Sequence, residues 1–184
     1  MDTSSNSSFR GLGGGRGLVF LIGFMGSGKT HWGKLWSAHN NLPFFDLDYV
    51  IQKEEQRTIA AIFETEGEDY FRKKETEVLQ SLSAQQNCIV SCGGGTPCFN
   101  NNMKWMNEHG TTVYLCASVN EILKRVINEK DHRPIFNNVL PENLPSFIEN
   151  KLKERAPFYN QAKIILPVNN IELDSFGSIY KSLA

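Results

Sequence analysis

The stretch LIGFMGSGKTHWG, residues 21–33, decides the fold of this chain. An apolar run ends in a glycine-rich loop, and a Lys-Thr pair then opens a segment with helical spacing. Residues 23–30, here called the phosphate loop, fit the pattern GxxxxGK[ST] in full. Such a loop turns backbone N–H groups toward phosphate oxygens, and the following helix points its positive end at the same anion. The sequence therefore predicts a nucleoside triphosphate site.

Two residues at the end of the phosphate loop carry the chemistry that a bound triphosphate needs. Lys29 can reach the β- and γ-phosphates, and the Thr30 hydroxyl can ligate Mg²⁺. A GTPase would carry NKxD, but the nearest string is NEKD at 128–131, and a motor ATPase needs a longer chain than 184 residues. The loop therefore favours a kinase that acts on a small molecule.

Length and charge exclude several other classes. The chain has 184 residues, which suits one domain with a full core, and its formal net charge is −1. A nucleic-acid partner needs a dense basic surface, which this charge balance does not offer. No apolar run approaches the length of a membrane span. We therefore expect neither nucleic acid nor a membrane as a partner.

The N-terminus and the cysteines predict a location. Residues 1–16 are polar and glycine-rich without the apolar centre of a secretory signal, so we expect a flexible tail before one domain over 17–184. Four cysteines occur without CxxC spacing and the histidines are scattered, which argues against a zinc site. Free thiols fit a reducing compartment, so the cytoplasm is the predicted location.

Continuous apolar runs, typical of strands covered on both faces, alternate with helical patterns. The predicted strands are 17–23, 43–48, 88–92, 111–117 and 163–168. The predicted helices are 28–39, 67–85, 99–109, 119–129, 145–160 and 171–183. This alternation predicts a three-layer α/β/α domain around a five-stranded parallel sheet with right-handed crossovers. The polar segment 129–144 contains two prolines and is the predicted lid.

An acidic pair follows the second predicted strand. The string DLD places Asp46 and Asp48 at the carboxyl end of that strand, at the edge where such sheets bind ligands. Residues i and i+2 of a strand face the same way, so both carboxylates would point to one side. One could serve Mg²⁺ and the other a substrate hydroxyl, although a turn or helix cap is an equally good interpretation of the pair alone.

Two further clusters suggest a pocket for an anionic acceptor. GEDYFRKKETEVL, residues 67–79, places Arg72 and Glu75 one helical turn apart, which alone would suit an ordinary surface pair. Gly93–Gly95, here called the glycine loop, leaves room for a ligand against bare backbone, or simply makes a tight turn. Arg133 and Arg155 offer planar forks of N–H donors, which suit a carboxylate or a phosphate better than lysine does.

The order and spacing of these motifs resemble the shikimate kinase family of P-loop proteins over residues 17–170. The motifs that carry the resemblance are GFMGSGKT, DLD, GEDYFRKKE, GGGT, RPIF and ERAPFY. The resemblance implies the P-loop NTPase strand order 2-3-1-4-5 and a monomer. It also implies that ATP, with Mg²⁺, phosphorylates the 3-hydroxyl of shikimate to give shikimate 3-phosphate and ADP, on the route to chorismate and the aromatic amino acids.

The resemblance also implies a role for each matching residue. Asp48 would hold the shikimate hydroxyls, and Arg72 and Arg155 would clamp its carboxylate. The implied substrate contacts are Asp48, Arg72, Glu75, Gly93, Gly94, Gly95 and Arg155. The implied ATP contacts are Gly26, Ser27, Gly28, Lys29, Thr30, His31, Arg125, Arg133 and Asn169. The implied catalytic residues are Lys29, Asp48 and Arg133, and the implied Mg²⁺ ligands are Thr30 and Asp46. His31 stands where the family usually has a second hydroxyl residue.

Two alternatives stay open from the sequence. A gluconate-type sugar-acid kinase also joins a phosphate loop to a carboxylate-bearing polyol, although the order of DLD, FRKKE and the glycine loop favours shikimate. A nucleotide-binding module without catalysis is the other alternative, although a decayed copy is expected to lose at least one of the charged residues named above.

Overall fold

The strands form one sheet of the predicted topology. The computed structural model describes residues 17–85, 87–126 and 139–181. The strands in these residues are β1 (Leu18–Ile22), β2 (Phe44–Asp46), β3 (Cys88–Ser91), β4 (Thr111–Cys116) and β5 (Ile164–Pro167). All neighbours pair in parallel, in the order β2-β3-β1-β4-β5. The predicted fold class and strand order are confirmed.

Helices cover both faces of this sheet. They are α1 (Lys29–Asn40), α2 (Leu47–Glu55), α3 (Ile59–Ser81), α4 (Asn102–His109), α5 (Val119–Val126), α6 (Leu144–Tyr159) and α7 (Ser175–Lys181). Leu18, Phe20 and Ile22 of β1 enter one apolar layer, mainly with α2, α3 and α4. Val19 and Leu21 enter the other, mainly with α1, α5, α6 and α7. None of the described helices is long and apolar enough to cross a membrane.

The central strand fixes where the phosphate loop lies. Every residue of β1 is buried, because β3 and β4 flank it and helices cover both of its faces. The loop leaves the carboxyl end of β1, and α1 begins directly behind Gly28, whose φ of +95° is left-handed. Since all five strands are parallel, their carboxyl ends meet at one edge. The residues that follow β1, β2 and β3 therefore share that edge.

The region after β2 differs from the prediction. The predicted strand 43–48 ends at Asp46, and Leu47 and Asp48 begin α2 instead. The rest of α2 and the first part of α3 occupy residues for which the sequence predicted no element. The Asp46 side chain accepts a hydrogen bond from the Tyr49 N–H at 3.3 Å and so caps α2. Thr58 caps α3 in the same way through the Ala61 N–H. Short polar side chains at helix starts outweigh the strand preference of the residues around them.

The predicted helix over 67–85 is the second part of α3. Gly67 interrupts that helix with φ of +82° and ψ of 176°, a backbone conformation open essentially to glycine alone. The predicted start at residue 67 therefore marks a real break, although helix also precedes it.

Several predictions fall on residues that the structure does not describe. The tail 1–16, most of the lid 129–144 and the ends of the predicted helices at 127–129 and 182–183 lie outside the described residues. Of the predicted lid, the described part holds a short 3₁₀ turn, Pro141–Asn143, and the first residue of α6. The division into tail, single domain and lid stays a prediction.

Gly67→Ala tests whether this break is required by the backbone. A Cβ at position 67 would meet nothing within 4 Å, so any loss of stability must come from the left-handed backbone. We expect the free energy of unfolding to fall by about 1–3 kcal/mol in chemical denaturation. Gly177→Ala is the control, because that helical site is equally open and φ is not left-handed there. Equal midpoints for Gly67→Ala and the wild type would contradict this interpretation.

Candidate active site

The phosphate loop is built on three glycines with left-handed backbone. Gly23, Gly26 and Gly28 have φ of +140°, +75° and +95°. A Cβ at Gly23 would also lie 2.7 Å from the Leu115 carbonyl oxygen, so the loop passes close to β4. The glycines are needed for backbone conformation and, at Gly23, for space.

The Lys29 ammonium lies over its own loop. Its Nζ donates hydrogen bonds to the carbonyls of Gly23 at 2.8 Å and Phe24 at 2.9 Å. The side chain is buried, so the positive charge of the ammonium group lies inside the phosphate loop. The Ser27 hydroxyl is also buried, and among the described residues it has no hydrogen-bond partner. Ser27 therefore turns its side chain inward, toward Gly23.

Thr30 and Asp46, the predicted Mg²⁺ ligands, are in direct contact. The Thr30 hydroxyl donates a hydrogen bond to Asp46 Oδ2 at 2.8 Å, and the Ser91 hydroxyl lies 3.4 Å from it. A hydroxyl and a carboxylate beside a phosphate loop are hard oxygen ligands. Mg²⁺ is usually held by one or two such protein ligands together with phosphate oxygens and water. The pair therefore fits the ion that the resemblance implies.

The glycine loop is where the acceptor residues meet. A Cβ at Gly93 would lie 2.9 Å from Asp48 Oδ1 and 3.0 Å from Glu75 Oε1. A Cβ at Gly94 would lie 3.2 Å from Arg155 Nη1 and 3.4 Å from the backbone nitrogen of Met25 in the phosphate loop.

A Cβ at Gly95 would lie 2.8 Å from both terminal nitrogens of Arg72. The structure thus brings all seven predicted substrate residues together beside the phosphate loop.

Arg72 is held by two carboxylates and lies against aromatic rings, of which Phe99 is the nearest. Its Nη1 donates to Glu75 Oε2 at 2.9 Å, and Glu68 accepts from the same guanidinium. Glu75 is fully buried, and its other oxygen accepts a 2.6 Å hydrogen bond from the Thr96 hydroxyl. The guanidinium also lies 4.2 Å from the centre of the Phe99 ring. Glu75 therefore orients Arg72.

Arg155 differs from Arg72 in its partners. It is buried, and its guanidinium lies 5.3 Å from the centre of the Phe24 ring. Within the described part of the chain no acidic side chain is in ion-pair distance of it. The neighbouring Tyr159 hydroxyl donates to the Gly94 carbonyl at 2.6 Å, and burial raises the pKa of Tyr159 to about 12. A buried cation without a described counter-ion is suited to an anionic ligand.

Asp48 is the most strongly perturbed carboxyl group at this edge. Burial in the first place, and then the charges of Glu75 and Asp46, raise its pKa to about 6, against the opposing pull of Lys29 and Arg72. A carboxyl group with a pKa near neutrality can accept and hold a proton at physiological pH. Asp48 lies in the first turn of α2, so the strand argument for its direction was wrong, although it does reach the same site as Asp46.

The residues predicted to bind the nucleoside lie on the other side of the phosphate loop. Arg125 Nη1 donates to the Gly26 carbonyl at 2.8 Å. Asn169 is exposed and lies near Glu121, whose pKa is lowered mainly by hydrogen bonds from Ser118 and less by Arg125 and Asn169.

His31 is exposed in the first turn of α1, edge-on to the Trp32 ring at 5.5 Å. Arg133 lies outside the described residues.

Sequence reasoning missed several residues that complete the site: Phe24, Glu68, Thr96, Phe99 and Tyr159. Thr96 and Tyr159 lie inside GGGT and ERAPFY, so their motifs carried a signal. The rings of Phe24 and Phe99 pack against the guanidinium groups of Arg155 and Arg72, which come from other elements. No local sequence pattern predicts such contacts. Cys92, next to the glycine loop, is buried with its thiol 3.7 Å from Met106 Sδ, and burial raises its pKa.

A phosphate loop beside a hydroxyl–carboxylate pair, with two arginines converging on the glycine loop, is the arrangement of a P-loop kinase for a small anionic acceptor. A family model described as shikimate kinase matches residues 25–182. The chain belongs to the shikimate kinase family.

Individual members of the family are similar to this chain over most of their length. Shikimate kinase of Azobacteroides pseudotrichonymphae is 42% identical over 157 residues, covering 85% of this chain and 92% of the relative. The crystal structure of shikimate kinase from Bacteroides thetaiotaomicron superposes with a TM-score of 0.82 at 36% identity, over 91% of this chain and 97% of that one. Shikimate kinase from Acinetobacter baumannii in complex with shikimate gives 0.79 at 30% identity, over 91% and 92%.

Asp48→Asn tests the electrostatic cost of this site. The pKa of Asp48 in the folded state is about 6, above its usual value of 3.8, so ionisation destabilises the fold as pH rises between these values. Asparagine removes that cost. We therefore expect Asp48→Asn to melt at a higher temperature than the wild type at pH 8 in a chelator, and the advantage to shrink toward pH 4.

Asp69→Asn is the control for this comparison, because Asp69 is exposed on α3. A variant at position 48 that is less stable than the wild type at pH 8 would show that the Asp48 charge is structural.

Proposed function

We propose that this chain transfers the γ-phosphoryl group of ATP to the 3-hydroxyl of shikimate and releases ADP. The observation that carries the proposal is the convergence of Arg72 and Arg155 on the glycine loop, directly beside the phosphate loop. Membership of the shikimate kinase family and the likeness to a shikimate kinase in complex with shikimate support this acceptor. ATP as co-substrate follows from the kinase family.

On the acceptor side, the two arginines would hold the shikimate carboxylate. Arg155 offers a buried cation, and Arg72 offers a fork that Glu75 and Phe99 keep in one orientation. The bare backbone of the glycine loop would let the ring lie close to β3. Anchoring the carboxylate at one end places the hydroxyls at the other end, toward Asp48 and the phosphate loop.

On the nucleotide side, charge neutralisation is the main task. The Lys29 ammonium would leave the two loop carbonyls for the phosphate oxygens. Thr30 and Asp46 would hold Mg²⁺, which would supply further positive charge at the phosphates. We further propose that Arg125 and Asn169 contact the nucleoside, that His31 lies near the α-phosphate, and that Arg133 meets the transferring phosphate.

Asp48 would orient the attacking hydroxyl and take its proton at the Oδ atom that faces Gly93. The bond from the 3-oxygen to the γ-phosphorus then forms while the bond from that phosphorus to the β,γ-bridging oxygen breaks. ADP would leave with its developing charge stabilised by Lys29. No covalent intermediate on the protein is needed, because positioning and charge stabilisation suffice for phosphoryl transfer.

The family relatives favour shikimate over a gluconate-type acceptor. With gluconate as the acceptor, the role of the phosphate loop would stand, but the proposed clamp of two arginines would not. Catalysis rather than nucleotide binding alone is supported by Lys29, Asp48 and both clamp arginines being in place. A monomer in the cytoplasm, with no nucleic-acid or membrane partner, stays a prediction.

ADP release by the purified chain with Mg-ATP tests this function. The acceptors to compare are shikimate, gluconate, quinate and none, and Lys29→Ala controls for a contaminating kinase. We expect turnover with shikimate and loss of most of it in Lys29→Ala. Turnover with gluconate alone would overturn the acceptor, and ATP binding without turnover on any acceptor would overturn catalysis.

A further inference from the structure

The donors of Arg72 are divided between two acidic side chains of the same helix. Nε and Nη2 both donate to Glu68 Oε1, at 3.1 Å and 3.0 Å. Nη1 donates to Glu75 Oε2. The edge formed by Nε and Nη2 is one of the two edges on which a guanidinium can bind both oxygens of a carboxylate. Glu68 therefore occupies a place that a substrate carboxylate can take.

The other approaches to Arg72 are obstructed. Its two terminal nitrogens lie 2.8 Å from the position of a Cβ on Gly95, so the tip of the fork packs against the glycine loop. The Phe99 ring lies over the guanidinium at 4.2 Å. The edge held by Glu68 is thus the one that an incoming carboxylate can use without displacing the glycine loop or Phe99.

Glu68 can also leave Arg72 at low cost, whereas Glu75 cannot. The side chain of Glu75 is 1% exposed, and Thr96 binds its second oxygen, so its removal from Arg72 would leave a buried charge. The side chain of Glu68 is 53% exposed, and in the described part of the chain Arg72 is its partner. Glu68 directly follows the break at Gly67, at the start of the second part of α3. Water can replace Arg72 around this carboxylate at little cost.

We propose that Glu68 is an exchangeable counter-ion that holds the Nε–Nη2 edge of Arg72 until the carboxylate of the substrate displaces it. This inference rests on the proposed function. Arg155, which has no described acidic partner, would receive one side of the substrate carboxylate, and Arg72 would receive the other as Glu68 turns into solvent. Glu68 therefore lowers the affinity for shikimate, and an acceptor without a carboxylate cannot drive the exchange.

Glu68→Gln tests the exchange, because it keeps an oxygen acceptor for Arg72 and removes the competing charge. We expect the KM and the calorimetric Kd for shikimate to fall roughly two- to fivefold, the scale of one partly exposed ion pair, with the KM for ATP unchanged. Glu68→Ala is expected to lower both shikimate constants too. The matched control is Asp69→Asn, which removes one acidic charge from the next residue of α3 and should move neither constant.

Opposite outcomes separate the possible roles of Glu68. An unchanged or higher shikimate KM in Glu68→Gln would overturn the exchange and make Glu68 a residue that only positions Arg72. An equal fall in Asp69→Asn would also overturn it, because the effect would then belong to the general charge of α3. Failure of the wild type to phosphorylate shikimate would instead overturn the proposed function, independently of the variants.

Discussion

The site depends on the absence of side chains at Gly93, Gly94 and Gly95. At each of these positions a Cβ would lie 2.8–3.2 Å from a charged group of another element, closer than a methyl group ordinarily packs. Gly93 faces α2 and α3, Gly94 faces α6 and the phosphate loop, and Gly95 faces Arg72. Three residues of bare backbone at the end of β3 thus let carboxylates, guanidinium groups and the phosphate loop meet at one edge of the sheet.

Charges gathered in this way must balance one another. The buried Glu75 carboxylate is compensated by Arg72 and Thr96, an arrangement that is stable only while both partners stay. The charge of Asp48 is compensated less well than that of Glu75, and the raised pKa of Asp48 reflects the free energy needed to ionise it. Arg155 shows the same imbalance with opposite sign. Asp48 and Arg155 lack full charge compensation in the protein alone, and a ligand with hydroxyls and a carboxylate can supply it. Binding sites often lower the stability of the unliganded protein in this way.

The parts of the molecule that could be predicted are those whose signal is local. The phosphate loop is contiguous, the strands are continuous apolar runs, and the order of the motifs identified the family. The direction of Asp48 could not be derived correctly, because capping by Asp46 turns the chain into α2 two residues earlier than the strand pattern indicates. The ring faces under Arg72 and Arg155, and the division of Arg72 between two carboxylates, depend on packing between distant segments.

Binding of shikimate to Gly95→Ala tests most directly whether bare backbone creates this site. Calorimetry on the variant and the wild type would give the Kd values for shikimate and for ADP, with Gly177→Ala as the control. We expect shikimate binding to weaken roughly tenfold or more, since a methyl group must displace the Arg72 guanidinium, and ADP binding to be unchanged. A folded Gly95→Ala variant that binds shikimate as tightly as the wild type would contradict it.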